Sequence, residues 1–300
     1  MRLKLNQRAS SLYGLLFAAA FLLLSSAVNA DTLDRILSNK KIIIGVSKDQ
    51  GVLSQLNLST GVIEGFEPDL AKDLANSLGV SLELVPLTIL QRESAIMDKK
   101  VDVLIASLSD TSTRRKVMLP VIPHYYLSGV NVLTRKDENI KSWEDLRGQR
   151  VCSEYGTFYN RLVTVRFGID LIPLHGHKIA VDALSDGRCV GILYEESTIG
   201  WRLQDTDWGK QFHIPLEKMQ TPAWSIYLNI NEKDGKLEKI ISDTVVRWHR
   251  DGVIMELEKK WKFPASSFSS DMNTIWNKKN NNEYFCKTPI NNQTPHECLK

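Results

Sequence analysis

The stretch ASLSDTSTRRK, residues 106–116, breaks an apolar run with Ser107, Ser109, Asp110, Thr111, Ser112 and Thr113 and then sets Arg114 beside Arg115. A guanidinium grips a carboxylate through two parallel hydrogen bonds. With Thr111 as an N-cap, the free backbone N–H groups of a following helix would attract an anion to the same place. The residue types therefore point to a carboxylate site, with solvated turn chemistry as the alternative. Other reactive patterns are weak. The chain has no phosphate-binding glycine loop, no GxSxG nucleophile elbow and no HExxH pair. His175-Gly-His177 has metal-compatible spacing, but no carboxylate or thiol stands near it in sequence, so it reads as a loop feature, and no metal or other cofactor is expected.

The elements that must position these residues alternate. KIIIGVS (41–47) reads as a strand. EPDLAKDLANSLG (67–79) reads as a helix with Leu70, Ala71, Leu74, Ala75 and Leu78 on one face, Pro68 at its start and Gly79 as its stop. SLELVPL, ESAIMDKK and VDVLIASLS continue as strand, helix and buried strand, an order that gives a mostly parallel sheet flanked by helices. A second unit repeats the alternation: VNVLTRK, RVCSEYG, a helix over about 157–167, KIAVDALSDG and CVGILYE. SIYLNINEK returns as a strand, 236–262 forms one or two helices, and the tail past Pro264, Ser- and Asn-rich and nearly without apolar periodicity, reads as an extension outside the core.

Composition limits the partners. The 300 residues are 43% apolar and 24% charged, an ordinary globular balance. Residues 1–30 carry Arg2, Lys4 and Arg8, then LYGLLFAAAFLLL and the small-residue ending SSAVNA, which is the pattern of a secretory signal peptide cleaved near Ala30. That apolar run is shorter than the roughly 20 residues of a membrane span. Removing it takes three of 38 basic residues and no acidic one, leaving 35 of each sign. The basic balance thus belongs to the signal and speaks for no nucleic acid. Export to an oxidising compartment favours disulfides: Cys286 is expected to pair with Cys298, and Cys152 with Cys189 if their strands are neighbours.

From Lys41 to about Phe263 the chain resembles the periplasmic solute-binding proteins of polar amino acid ABC transporters, family 3 type. The motifs that carry the resemblance are IIIGVS, STGVIEGFEPDLAKDLANSLG, QRESAIMDKKVDVLIASLSDTSTRRK, HYYLSG, SWEDLRGQRVCSEYGT, ALSDGRCVGILYEES and HRDGVIMELEKKW. It implies an α/β, two-lobed type II periplasmic binding protein fold, each lobe a mostly parallel sheet, with two crossing hinge strands at YYLSGVNVL and WSIYLNI. The implied division is a signal peptide over 1–30, lobe 1 over 31–127 and 226–264, an inserted lobe 2 over 128–225 and a C-terminal extension over 265–300. Ser107, Ser109 and Arg114 match ligand-contacting positions, Arg114 the clamp on the α-carboxylate, and Arg115 a surface position. Gly156, Thr157 and Phe158 match a turn that meets the same carboxylate. Glu195 stands where the family places an aspartate that accepts the ligand ammonium, with Glu196 as the fallback, since strand alternation turns only one of the two inward.

Specificity falls to Arg92. It matches an arginine that faces the distal carboxylate in receptors for acidic amino acids, and residues 46–66 also resemble the aspartate, glutamate and glutamine subgroup. A second buried cation would select an acidic ligand, because a neutral one leaves it unpaired. The aromatic residues that often stack on the ligand are replaced by 50–53 and by Ile89 and Leu90. The resemblance implies a monomeric receptor that delivers its ligand to an ABC permease and ATPase complex, and not an enzyme. Two alternatives share the fold: a cyclohexadienyl dehydratase, whose carboxyl acid TPAWSIYL does not offer, and a ligand-sensing partner of a membrane sensor.

Overall fold

The structure, a computed structural model, describes residues 31–264, 266–286 and 298. The expected signal peptide lies outside the described residues, and among those described no helix is long and apolar enough to cross a membrane. Strand β1 (Lys41–Ser47) runs parallel between β4 (Ser81–Leu87) and β5 (Val103–Ser109). β12 (Trp224–Asn229) returns antiparallel beside β5, and β6 (Met118–Pro120) closes the order β4-β1-β5-β12-β6. All seven residues of β5 are buried. Alternation sends Val103 and Ile105 to one core, and Leu104, Ala106 and Leu108 to the core on the other face. Helix α2 (Phe66–Leu78) and helix α3 (Ile89–Met97) are the predicted pair, and Gly79 ends α2 in the left-handed conformation.

A second sheet repeats the plan. β8 (Arg150–Glu154) lies parallel between β9 (Asp170–Leu174) and β10 (Gly191–Glu195), and β7 (Val130–Arg135) runs antiparallel to β10. β11 (Phe212–His213) completes the order β11-β7-β10-β8-β9. Two separate apolar clusters cover its faces, so each lobe has its own core. The chain passes between lobes twice, and the passages are tied together: Tyr126 bridges Trp224, and Val130 exchanges backbone hydrogen bonds of 2.9 Å with Met219. Tyr126, Val130 and Trp224 fall in the expected crossing stretches, and Met219 lies just before the second of them.

Both expected disulfides form. β8 and β10 are adjacent, Cys152 faces Ile192 across the ladder, and Cys189 just before β10 reaches it with a Cα–Cα distance of 5.7 Å. The loop it closes spans 37 residues, and the loop-entropy model assigns such a loop about 4 kcal/mol. The double variant Cys152→Ala/Cys189→Ala is expected to lose stability of that order in urea unfolding, with its fold retained. An unchanged midpoint would mean that the packed β8–β10 pair needs no bridge.

The tail corrects one expectation. It is not without apolar periodicity: Phe268, Met272, Ile275 and Trp276 recur at helical spacing, and helix α10 (Ser267–Asn277) packs them on Val246 of helix α8 (Lys236–Arg250). Ser266 caps its first turn. Trp276 is fully buried, and Cys286 and Cys298 pair beside it, so this helix extends the first lobe with a small core of its own.

Candidate functional site

The site lies where the ends of β5, β8 and β10 face one another from the two lobes. In the first lobe β5 ends at Ser109, and the chain turns through a three-residue 3-10 helix, Arg114–Lys116. This differs from the expected helix N-terminus. Thr111 Oγ1 accepts from the Arg114 backbone N–H at 3.3 Å, but so short a turn offers no aligned dipole. The guanidinium is what remains. Arg114 Nε donates to Glu93 Oε1 at 2.9 Å and Nη1 to the Ser109 carbonyl at 3.0 Å, which fixes the plane of the fork. Ser109 thus supports Arg114 from behind and does not line the cavity. Ser107 lines it, with a positive φ of 44° and its backbone N–H donating to the Tyr125 hydroxyl at 3.0 Å. Arg115 turns away onto exposed surface, paired with Asp110.

The second lobe brings the turn Gly156, Thr157 and Phe158, which precedes helix α4 (Tyr159–Phe167), against these groups. Arg114 Cζ lies 6.0 Å from the Phe158 ring centre. Gly156 has φ of 91°, and a Cβ there would stand 2.9 Å from Leu90 Cδ2, so glycine permits this approach of the lobes. Of the two glutamates, Glu195 faces the cavity and accepts from the Tyr159 hydroxyl at 3.1 Å. Glu196 is held away by Asn131 Nδ2 at 2.9 Å. One cavity therefore gathers Arg92, Ser107, Arg114, Gly156, Thr157, Phe158 and Glu195. The facing side chains leave about 20 Å³ between them, room for about one water.

Arg92 is buried, not a surface residue opening a helix, and donates from Nη2 to Ser47 Oγ at 3.2 Å. Its field is shared by three carboxylates that reach it from separate parts of the chain. Burial pushes Glu67 up to about 7, against the opposing pull of Arg92 and hydrogen bonds from Ser47. Burial also raises Glu154, which Arg92 again opposes, while Tyr194 and Gln50 donate to Glu154 Oε2 at 2.8 and 3.2 Å. The protein packed around Glu195 pushes it up to about 7, although part of this residue still reaches solvent at the cleft. Glu67, Glu154, Tyr159 and Tyr194 were not singled out from sequence, and Gln50 was noted only as standing where a ligand-stacking aromatic often does. A residue-alternation signal existed only for Glu154, the last residue of a strand whose neighbours are buried.

Comparison with known proteins places these observations in a family. Residues 42–265 match the bacterial extracellular solute-binding proteins, family 3. The arginine-binding extracellular protein ArtP of Bacillus subtilis is 24% identical over 74% of this chain and 86% of its own length. The glutamate/aspartate import solute-binding protein of Salmonella typhimurium is 22% identical over 81% of this chain and 83% of its own. Among solved structures, a mutant of the arginine-binding protein of T. maritima superposes with a TM-score of 0.69 at 26% identity, covering 77% of this chain and 99% of that one.

Proposed function

Because the chain belongs to the bacterial extracellular solute-binding proteins of family 3, we propose that it is an extracytoplasmic receptor that encloses one polar amino acid between its lobes and hands it to an ABC importer. The observation that carries this reading is the meeting, in one interlobe cavity, of Arg114 with the Thr157 turn and Glu195. Arg114 holds the α-carboxylate, the Thr157 turn meets it from the other lobe, and Glu195 accepts the α-ammonium. A ligand so held touches both lobes and favours the closed form by that differential contact. Closure is then the signal a permease and its ATPase would read. The reading is of a periplasmic, monomeric receptor with its signal peptide removed, and not of a catalyst. The division into lobe 1 over 31–127 and 226–264 and an inserted lobe 2 over 128–225 is part of it.

The far end of the ligand is a separate matter. An acidic ligand rests on Arg92, and its buried Nε, which has no hydrogen-bond partner, favours that reading. Against it stand Glu67, Glu154 and Glu195, three carboxylates in the field of that one guanidinium. A second ligand carboxylate would meet them at close range, whereas an amide or cationic side chain would offer them donors. A thermal-shift screen over acidic, amide and cationic amino acids decides between the two, since a ligand stabilises by mass action, about 2.7 kcal/mol at a hundred times its dissociation constant. We expect the amide or cationic set to give the larger shifts. Stabilisation by glutamate or aspartate alone would return the specificity to Arg92, and no shift with any amino acid would remove the receptor reading.

A further inference from the structure

A second space opens between the lobes, beside the inner cavity. It is a groove of about 670 Å³. One wall is the hairpin of β2 (Gln55–Leu56) and β3 (Ile63–Glu64) with the chain after β1, and the other is helix α5 (His177–Ser185) with Arg202. Gln50 lines the inner cavity and reaches across to Glu154, so a polar bridge stands between the two spaces. The groove is more than thirty times the volume of the inner cavity, by the 670 and 20 Å³ they measure.

Its walls carry polar atoms that nothing in the protein satisfies. Ser54 Oγ and His177 Nδ1 are buried without a hydrogen-bond partner, and Ser54 and His177 are 0% and 5% exposed. Arg202 Nε, in the same wall, is also buried and unpartnered. An orphaned buried polar group costs on the order of 1–3 kcal/mol, which a ligand that pairs with it recovers. The charge favours an anion: Lys48 and Arg202 line the groove with Lys178, which also pairs with Asp182 at 2.7 Å, against Asp49. The remaining wall is apolar, and two of its side chains, Leu58 and Ile179, are 90% and 47% exposed. Burial holds the His177 ring neutral, pushed down to about 3, so its Nδ1 serves as a hydrogen-bonding group and not as a further cation.

We propose that this groove is a second binding site, for a small organic anion with an apolar body. The anionic end meets Arg202, Lys48 and the Ser54 hydroxyl, and the apolar body lies along Leu58 and Ile179. Because the walls come from both lobes, an occupant also favours closure and so tightens the inner site by the same factor that the amino acid tightens the groove. That last coupling rests on the amino acid reading; occupancy of the groove does not.

The test uses 3-phenylpropionate as the probe, with 3-phenylpropan-1-ol and 3-phenylpropylamine as its neutral and cationic counterparts, followed by titration calorimetry on the mature protein. The anion is expected to bind, and the alcohol and amine to bind at least about tenfold more weakly. Lys48→Glu and Ile179→Asp, both at exposed positions where folding is insensitive, are each expected to weaken the anion by about tenfold. Arg114→Ala should leave it unchanged. Equal binding of all three probes, no binding of the anion, or loss of the anion in Arg114→Ala with no effect of the groove variants would each overturn the proposal. If the anion binds as described while no amino acid binds the unmodified protein, the second site stands and the amino acid reading alone fails.

Discussion

Arg114→Ala is expected to abolish measurable amino acid binding while leaving the fold and its melting temperature nearly unchanged. The two halves of that result have different causes. Removing one partner of a buried, hydrogen-bonded charge pair costs about 2–5 kcal/mol, which is a factor of roughly 30 to several thousand in affinity. The ligand carboxylate would be enclosed with no cation beside it, and the Thr157 turn alone cannot replace a guanidinium fork. Stability, by contrast, loses little. Glu93 is 44% exposed at its side chain and returns to water. The Ser109 carbonyl keeps the Tyr227 hydroxyl at 3.0 Å as its second donor. Arg114→Lys separates charge from geometry, since it keeps the cation but loses the fork, and should fall between the two. Titration calorimetry on folded Arg114→Ala that returns the affinity of the unmodified protein would sink the clamp.

What was legible in the sequence follows from what local pattern can carry. The alternation of strand and helix was read because each lobe is built from consecutive elements whose apolar periodicity switches between two and about 3.6 residues. Arg114 was singled out by the polar stretch that follows a predicted strand and by the family resemblance, and the Thr157 turn by the resemblance; each sits at the end of one strand, so a single stretch contains both the element and the group it positions. Of the carboxylates around Arg92, Glu195 was read through the resemblance, but Glu67 and Glu154, and the meeting of all three at one cation, were not, for the opposite reason. Glu67, Glu154 and Glu195 come from a helix start and two strand ends, and only the folded cleft brings them to one cation. Read alone, Glu67 in GFEPDLA is an ordinary acidic residue in the first turn of a helix, a position the dipole favours. The tail was misread through composition: serine and asparagine dominate it, while Met272 and Trp276, one helical turn apart, bury its face.

The same cleft shows how closure and charge are linked. Arg92, Arg114 and three glutamates are packed where the lobes meet, yet the described residues place neither arginine in an ion pair with Glu67, Glu154 or Glu195 within 4.0 Å. Burial raises all three carboxyls, to about 7 for Glu67 and Glu195, so each takes up a proton more readily than an exposed carboxyl. To serve as the proposed acceptor of a ligand ammonium, Glu195 would have to ionise against that burial.

Affinity is therefore expected to fall with acid through a window set by Glu195. Burial is the main cause of its pKa of about 7, with Glu154 adding to it, while its own backbone N–H, the Tyr159 hydroxyl and Arg92 pull the other way. To accept an ammonium Glu195 must be ionised, so below about pH 7 binding has to displace a proton. The apparent dissociation constant should then rise by up to about tenfold per pH unit well below 7, or roughly 50-fold from pH 7 to pH 5. Stability of the unliganded protein runs the opposite way. A carboxyl that titrates near 4.5 unfolded and near 7 folded favours the fold fully below about 4.5, and that contribution is lost as pH rises through 7. Glu67 acts in the same sense. The buried rings of His177 and His249, pushed down to about 3 and about 4, stay neutral across this window and cannot mimic the effect. Calorimetry between pH 5 and 8, in buffers of different ionisation enthalpy, reads both the slope and the proton released. Glu195→Gln should bind weakly at every pH with the slope reduced to whatever Glu154 contributes. A flat profile in the unmodified protein would show that the ligand ammonium is held by some group other than Glu195.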